Sequence, residues 1–165
     1  MSPSRRRGQP WGILTVGLVA SALLAACGSS VELEPAPEAS EPVCARVLIN
    51  MPDELAGAKK RNTTTQASRA WGEPPITLRC GVEPPGPTTD RCVTAIDDSG
   101  ESIDWVMREI GEPGVEENTW HFTTYGRDPA IEVIVPVEYA GTDATGVLGT
   151  LGEYISQIPA TRECV

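Results

Sequence analysis

Residues 76–82 read Ile-Thr-Leu-Arg-Cys-Gly-Val, and residues 131–137 read Ile-Glu-Val-Ile-Val-Pro-Val. In both stretches apolar side chains occupy every second position, which places them on one face of a β-strand. Residues 120–125 alternate in the same way, with Trp120 and Phe122 on one side. These three stretches predict the long strands of a sheet with one apolar face.

Shorter strands and turns fill the sequence around these three stretches. The shorter strands are predicted at residues 61–65, 93–96 and 103–107. Turns rich in Asp, Gly and Pro are predicted at residues 97–100 and 126–129, where each joins two neighbouring strands. Short connections of this kind favour antiparallel pairing.

A helix is predicted on either side of the strand region. Cys44, Val47, Leu48 and Met51 follow the helical spacing i, i+3, i+4, i+7, with Ser40 as a possible cap and Pro52 as the end. The same spacing recurs from Val147 to Ile158, after a possible cap at Thr142 or Asp143. Two apolar helical stripes need an apolar sheet face, so we expect an α+β two-layer sandwich, with both helices on one face of a mainly antiparallel sheet of about five or six strands.

The first residues of the chain are typical of an export signal. A basic start, Arg5-Arg6-Arg7, precedes an uncharged stretch from Trp11 to Ala26, which is short for a membrane-spanning helix. The stretch ends Leu24-Ala25-Ala26-Cys27, which resembles the bacterial lipobox, so we predict a lipoprotein signal peptide at 1–26 and lipidation of Cys27. The alternative is an ordinary cleaved signal with a chance Cys. The general secretory route is favoured over twin-arginine export, because Gly8-Gln9-Pro10 follows the arginines.

Residues 27–42 form a different kind of segment. From Gly28 to Pro42 the sequence has four Glu, three Pro and no cation, a composition that favours an extended chain. We therefore predict a tether at 27–42 that holds a single folded domain, residues 43–165, away from the membrane.

The charge balance limits the partners of this domain. The 165-residue chain has 13 Lys and Arg against 23 Asp and Glu, a net charge of −10. Removal of residues 1–26, which hold three Arg and no acid, leaves −13. Such a surface argues against nucleic-acid binding and would be repelled by anionic lipids, so attachment to the membrane must come from acyl chains.

Four cysteines follow Cys27, and an even number in an exported chain predicts two disulfides. Three pairings are possible. We prefer Cys80–Cys92, which closes a proline-rich loop, together with Cys44–Cys164, which joins the two ends of the domain. A metal site is disfavoured because the chain has no CxxC spacing and only His121 as a further ligand.

Part of the sequence is similar to a known family. Residues 71–82, WGEPPITLRCGV, and residues 122–129, FTTYGRDP, together with Val135-Pro136, resemble an actinobacterial family of exported lipoproteins of unknown function, domain of unknown function 3515. The resemblance covers essentially the whole folded part. It implies an envelope protein of a high-GC Gram-positive bacterium, and it implies no activity, cofactor or catalytic residue.

Two arginines are the strongest candidates for ligand binding. Arg79 lies on a strand beside a cysteine, and Arg127 lies in a turn beside Asp128. One hypothesis places Arg79, Arg127, Tyr125 and Trp71 around a groove for an anionic or sugar ligand, since guanidinium groups bind carboxylates and aromatic rings stack on sugars. The favoured alternative is structural, with both arginines paired to carboxylates such as Asp104 or Asp128.

Catalytic and metal-binding motifs are few. His121 is the only histidine, and no G-x-S-x-G, S-x-x-K or H-E-x-x-H motif occurs, so no catalytic residue is assigned. The acidic residues Asp97, Asp98, Glu101 and Asp104 suggest calcium, but their spacing differs from that of an EF-hand and is ordinary for a turn. We assign no metal and no cofactor.

The sequence thus predicts a lipid-anchored domain on the extracytoplasmic face of the cell membrane. We expect it to bind an envelope protein or a cell-wall ligand rather than to catalyse a reaction. The alternative is a hydrolase that acts on envelope material through Asp and Glu side chains.

Overall fold

In the computed structural model, which describes residues 29–108, 117–141 and 144–164, the chain forms three helices and eight strands. In chain order these elements are α1 (Pro42–Ile49), β1 (Glu54–Leu55), β2 (Ala58–Arg61), β3 (Ser68–Trp71), β4 (Ile76–Val82), β5 (Arg91–Ile96), β6 (Ser102–Arg108), β7 (Thr119–Thr124), β8 (Ala130–Pro136), α2 (Val137–Ala140) and α3 (Thr145–Ile155).

The strands form one sheet in the order β1-β2-β3-β4-β8-β7-β6-β5. Every neighbouring pair is antiparallel, as predicted. The number of strands is eight rather than five or six. The prediction missed β1 and β3 and placed the strand at 61–65 too late, because these strands have only two to four residues and too little alternation to be recognised.

Both predicted hairpin turns are confirmed. Residues 97–100 join β5 to β6, and residues 126–129 join β7 to β8. The second turn contains a cis peptide bond between Asp128 and Pro129. These turns make neighbours of β5 and β6 and of β7 and β8, and β7 also pairs with β6. Strand β4 pairs with β8, which is far from it in the sequence.

One face of the sheet carries the hydrophobic core. The strand register aligns Leu78, Val133, Phe122 and Met107 across four strands, and all four side chains are buried. Trp105 continues this face and packs edge-on against Phe122, with ring centroids 6.4 Å apart. The helices α1 and α3 cover this face, so the two-layer arrangement expected from their apolar stripes is present.

The helix limits differ slightly from those expected. Helix α1 begins at Pro42 after Glu41, so Ser40 does not cap it, and it ends three residues before Pro52. Its predicted stripe, Cys44, Val47 and Leu48, is buried. For α3 the suggested caps Thr142 and Asp143 lie outside the described residues, whereas the buried Val147, Leu148 and Leu151 match the predicted stripe.

All four domain cysteines form disulfides, but the preferred pairing is wrong. Cys44 is bonded to Cys80, with Cα atoms 5.5 Å apart, and Cys92 is bonded to Cys164, with Cα atoms 6.3 Å apart. The register explains the difference. Cys80 points toward the helices from β4, whereas Cys92 lies on the opposite face of β5, with β8, β7 and β6 between the two strands. A bond between Cys80 and Cys92 would have to cross the sheet.

The segment predicted to be a tether makes many contacts. Val31 pairs with Thr63 in a parallel bridge, its amide donating to the Asn62 carbonyl at 2.8 Å. Farther along, the Glu38 amide donates to the carbonyl of Gly81 at 2.8 Å, and a side chain at position 81 would collide with the backbone of residues 38 and 39. Residues 29–41 therefore pack along the domain, and the ordered unit begins well before residue 43.

The predicted signal peptide and its lipidation site, Cys27, lie outside the described residues. Within the described ranges, no helix is both long and apolar enough to cross a bilayer.

Candidate functional site

The sheet face opposite the helices carries a groove that we call the sheet-face groove. Its floor is formed by Thr77 on β4 and Ile134 on β8, which are register partners. The rest of the groove is lined by residues 31–33, 74–75, 117–119 and 136–138. The volume is about 460 Å³, which is large enough for a small molecule or for several side chains of a peptide.

The groove combines apolar walls with an acidic rim. Leu33 and Ile134 are half-buried and leave apolar surface toward the groove, which the buried Val31 also lines. Glu32, Glu117 and Glu138 are exposed at its edge. Three carboxylates at one opening create a negative potential that attracts cations. The arrangement is chemically suited to a partner with apolar groups and positive charge, not to an anion.

The groove residues come from several parts of the chain, and hydrogen bonds hold them together. The Tyr139 hydroxyl accepts a hydrogen bond from the Glu73 amide at 2.9 Å, which joins α2 to the turn that carries Pro74 and Pro75. The Val137 amide donates to the Asn118 carbonyl at 2.9 Å. These two hydrogen bonds link segments that bring groove residues together from separate parts of the chain.

Arg79 lies on the same sheet face but is neutralised there. Its guanidinium donates to the Glu132 carboxylate through two nitrogens, at 2.7 and 2.9 Å, and to the Glu34 carbonyl at 3.2 Å. Arg79 is thus paired with a carboxylate, as in the structural alternative, but with Glu132 rather than Asp104 or Asp128. Arg79 also fastens the N-terminal segment to β4.

Arg127 is buried, with 6% of its surface exposed, where the C-terminal segment passes the turn between β7 and β8. Its guanidinium donates to the Ile158 carbonyl, and its backbone pairs with Ala160. Burial lowers the pKa of Arg127, and the charge of Asp104 acts in the opposite direction. Arg127 thus holds residues 158–160 in place and does not face a ligand site as a free cation.

Gly126 allows the C-terminal segment to pass close to this turn. Its φ angle is +70°, and a side chain there would collide with the backbone of Arg162. The Gly126 carbonyl accepts hydrogen bonds from both the amide and the hydroxyl of Thr161, at 2.7 and 2.9 Å. The 126–129 turn is therefore a docking point for the C-terminal segment.

A second, smaller cleft of about 280 Å³ lies beside this segment. Tyr125 and Arg127 both line it, so the structure brings these two candidates together. The Arg162 guanidinium lies 5.7 Å from the centre of the Tyr125 ring, within the range of a cation–π contact. Asp104 and Glu163 also line the cleft, so its cations are accompanied by acids.

Trp71 does not belong to either site. Its side chain is fully buried in the core on the helix-facing side of β3, and its indole NH donates to the Pro52 carbonyl at 2.9 Å. The proposed groove formed by Arg79, Arg127, Tyr125 and Trp71 is therefore not assembled.

His121 and the acidic turn at residues 97–101 both make contacts within the protein itself. His121 lies on the face opposite Trp120 and Phe122, as predicted, and is 9% exposed, with Nε2 3.2 Å from the Thr119 hydroxyl oxygen. In the turn, one Asp97 oxygen accepts hydrogen bonds from the amide and hydroxyl of Ser99 and from the Glu101 amide, at 2.8, 2.7 and 2.9 Å. The hydrogen bond from the Ser99 hydroxyl is the main reason that the pKa of Asp97 is lowered.

Asp104 is engaged separately from that turn. It accepts hydrogen bonds from the Thr94 hydroxyl at 2.6 Å and from the Cys164 amide at 2.8 Å.

Across residues 29–108, 117–141 and 144–164, no three His, Cys, Asp or Glu side chains are grouped so that they could hold a metal ion.

The groove residues could not be predicted from the sequence. Glu32 lies in the predicted tether, Glu117 and Asn118 precede β7, and Glu138 lies in the unpredicted helix α2. No spacing rule connects these four residues, because they meet only through the sheet order and the packing of residues 31–33.

Comparison with known proteins identifies the family. A family model described as protein of unknown function (DUF3515) matches residues 12–162, nearly the whole chain, so the protein belongs to this family. No curated protein and no solved structure matches the chain.

Proposed function

We propose that this member of the DUF3515 family is an exported lipoprotein whose domain binds a cation-bearing protein segment of the cell envelope in the sheet-face groove. The export part of the proposal is supported by the basic start of the chain, its apolar stretch from Trp11 to Ala26, and the Leu24-Ala25-Ala26-Cys27 junction. Acylation of Cys27 would attach the domain to the extracytoplasmic face of the membrane.

The observation that carries the export proposal is the state of the remaining cysteines. All four domain cysteines are paired, one pair on each face of the sheet. Stable disulfides form in oxidising compartments and are rare in the cytosol. A domain built around two such bonds is therefore suited to a location outside the cytoplasm.

The binding part rests on the groove. Its apolar walls and the exposed Glu32, Glu117 and Glu138 favour a peptide segment in which Lys or Arg alternates with apolar side chains. The overall negative charge of the domain would add long-range attraction to the same partner and would lose strength as salt increases. The pKa of Asp97, in the β5–β6 turn, is lowered, which is the wrong direction for a carboxylate that donates a proton in catalysis.

Fractionation tests the export part. The full chain and its Cys27→Ala variant are expressed in an actinobacterial host with a radiolabelled fatty acid, and membranes are separated from soluble material. We expect the full chain in the membrane fraction with the label, and loss of both in Cys27→Ala. A Gly28→Ala variant is the matched control and should keep the label. Acyl label on Cys27→Ala would contradict the lipobox.

Site-specific photo-crosslinking tests the binding part in intact cells. A photoreactive amino acid replaces Leu33 in the groove wall or, as the control, the exposed Ile49 on α1. We expect a discrete adduct only from position 33, and its loss when Glu117→Lys and Glu138→Lys are added. Adding Glu153→Lys, an exposed acid on α3, should leave the adduct unchanged. An adduct that survives reversal of the groove acids would refute binding through this rim.

A further inference from the structure

The distance between the proposed anchor and the folded domain limits how the domain can be oriented. Cys27 is two residues before Ser29, and two residues span at most about 7 Å. Ser29 is already part of the fold, since the Arg61 guanidinium donates to its carbonyl at 3.0 Å and to its hydroxyl at 3.2 Å. Acyl chains on Cys27 would therefore hold the end of β2 at the membrane surface.

The charges of the chain are distributed unevenly with respect to this point. Residues 51–75, which contain β1, β2 and β3, have four cations and three acids. Residues 76–165 have five cations and 16 acids. Residues 29–50, which directly follow the proposed anchor, have one cation and four acids, so only the 51–75 region near the anchor has an excess of cations.

Lys59 and Lys60 are the only lysines of the chain, and both are exposed on β2. With a rise of about 3.3 Å per residue, they lie within about 7 Å of Arg61 along the strand. The Lys60 ammonium group pairs with Asp53 at 3.0 Å, in a contact that is open to solvent. Their side chains project from opposite faces of β2, and both can reach lipid headgroups when this end of the sheet stands on the membrane surface.

We infer that the β1–β3 end of the domain is its membrane-facing surface, with Lys59 and Lys60 against anionic phospholipid headgroups. The inference rests on the proposed lipidation of Cys27. Residues 31–33 and Pro74, which border the sheet-face groove, are then close to this membrane-facing surface. It also replaces the spacer expected for residues 27–42 by a short connection that fixes the orientation of the domain.

The orientation can be measured through the lysines. The acylated full-length protein is reconstituted into vesicles of phosphatidylcholine with about 30% phosphatidylglycerol, into phosphatidylcholine vesicles, and into detergent. A water-soluble amine reagent is added, and modification at each lysine is followed by mass spectrometry. The matched control is Arg91→Lys, which introduces a lysine at an exposed position on β5, roughly 30 Å from β2 across the sheet.

Relative to detergent, we expect modification of Lys59 and Lys60 to slow severalfold on the anionic vesicles, and modification of the lysine introduced by Arg91→Lys to stay unchanged. Lys59 and Lys60 that react as fast on anionic vesicles as in detergent would overturn the inference, as would equal protection of the control position. Equal protection on vesicles that lack phosphatidylglycerol would overturn the headgroup contact. Sedimentation with the vesicles is measured in parallel, since failure to sediment would contradict the lipid anchor itself.

Discussion

Arg127 shows at the scale of one residue why a buried cation in this protein is structural. Its guanidinium is almost fully removed from water and donates to the Ile158 carbonyl. We expect Arg127→Ala to lower the free energy of unfolding by about 2–3 kcal/mol, because it leaves that carbonyl unpaired and opens a cavity. Urea unfolding measures the loss. The control Arg91→Ala, at an exposed position, should change stability by less than about 0.5 kcal/mol, and an equally mild effect of Arg127→Ala would contradict the assigned role.

Asp97 makes the free energy of unfolding depend on pH, and its lowered pKa determines the direction of that dependence. Its pKa is lowered in the folded protein, first by the hydrogen bond from the Ser99 hydroxyl, so its ionised form favours the folded state. The contribution is present above the unfolded value of about 3.9 and is lost as the pH falls through the folded pKa. In urea titrations from neutral pH downward, we expect the wild type to lose stability more steeply below about pH 4 than Asp97→Asn, which accepts the same hydrogen bonds without titrating. Parallel curves would contradict this contribution.

The contacts of single residues were harder to predict from the sequence than the helices and strands. Alternation placed Arg79 and His121 on the correct face, because strand periodicity depends only on local sequence. It could not show that Glu132 would be opposite Arg79, since that contact depends on β8 being the neighbour of β4. Trp71 was misplaced in a ligand site for the same reason, because the register of the unpredicted strand β3 directs it into the core.

At the scale of elements, the glycines of α3 set how closely the helix approaches the sheet. A Cβ atom at Gly149 would lie 2.7 Å from the Ile96 carbonyl oxygen, and neither backbone can move easily. We expect Gly149→Ala to lower the free energy of unfolding by about 1–3 kcal/mol. Gly146→Ala, in the same helix with no atom within 4 Å, should be neutral or stabilising by up to about 1 kcal/mol. Thermal melting of both variants measures the contrast, and equal melting temperatures would contradict the close packing of α3.

The disulfides connect elements that the sequence could not show to be neighbours. Cys44–Cys80 joins α1 to β4 across a separation of 36 residues, and Cys92–Cys164 joins β5 to the C-terminal segment across 72. The chain-entropy model gives about 4 kcal/mol for each bond. We expect the double variants Cys44→Ser/Cys80→Ser and Cys92→Ser/Cys164→Ser each to melt well below the wild type. Mass mapping of the unreduced protein should give these two linkages, and a peptide linking Cys80 to Cys92 would contradict the strand order.

The elements that the sequence predicted well were those with long periodic patterns. The stripes of α1 and α3 and the alternation of β4, β7 and β8 each extend far enough for the period to be distinguished. β1 and β3 have no such pattern and form through pairing with β2 and β4. The packing of residues 29–41 was missed because its hydrogen bonds are made mainly by backbone groups, which composition does not reveal.

At the scale of the whole molecule, repulsion among the acidic side chains can be tested through its effect on the melting temperature. The chain from Cys27 onward has a net charge of −13. The ion pairs Lys60–Asp53, Arg61–Glu73 and Arg79–Glu132 act only locally against that excess. We expect the melting temperature at pH 7 to rise as potassium chloride increases from about 10 to about 500 mM, because screening weakens the repulsion among the many exposed acids more than it weakens such local pairs. Glu117→Gln/Glu138→Gln should raise the melting temperature at low salt and reduce its salt dependence. A melting temperature that falls with salt would mean that attractive pairs dominate. It would contradict the repulsion expected among the acidic side chains of the groove rim.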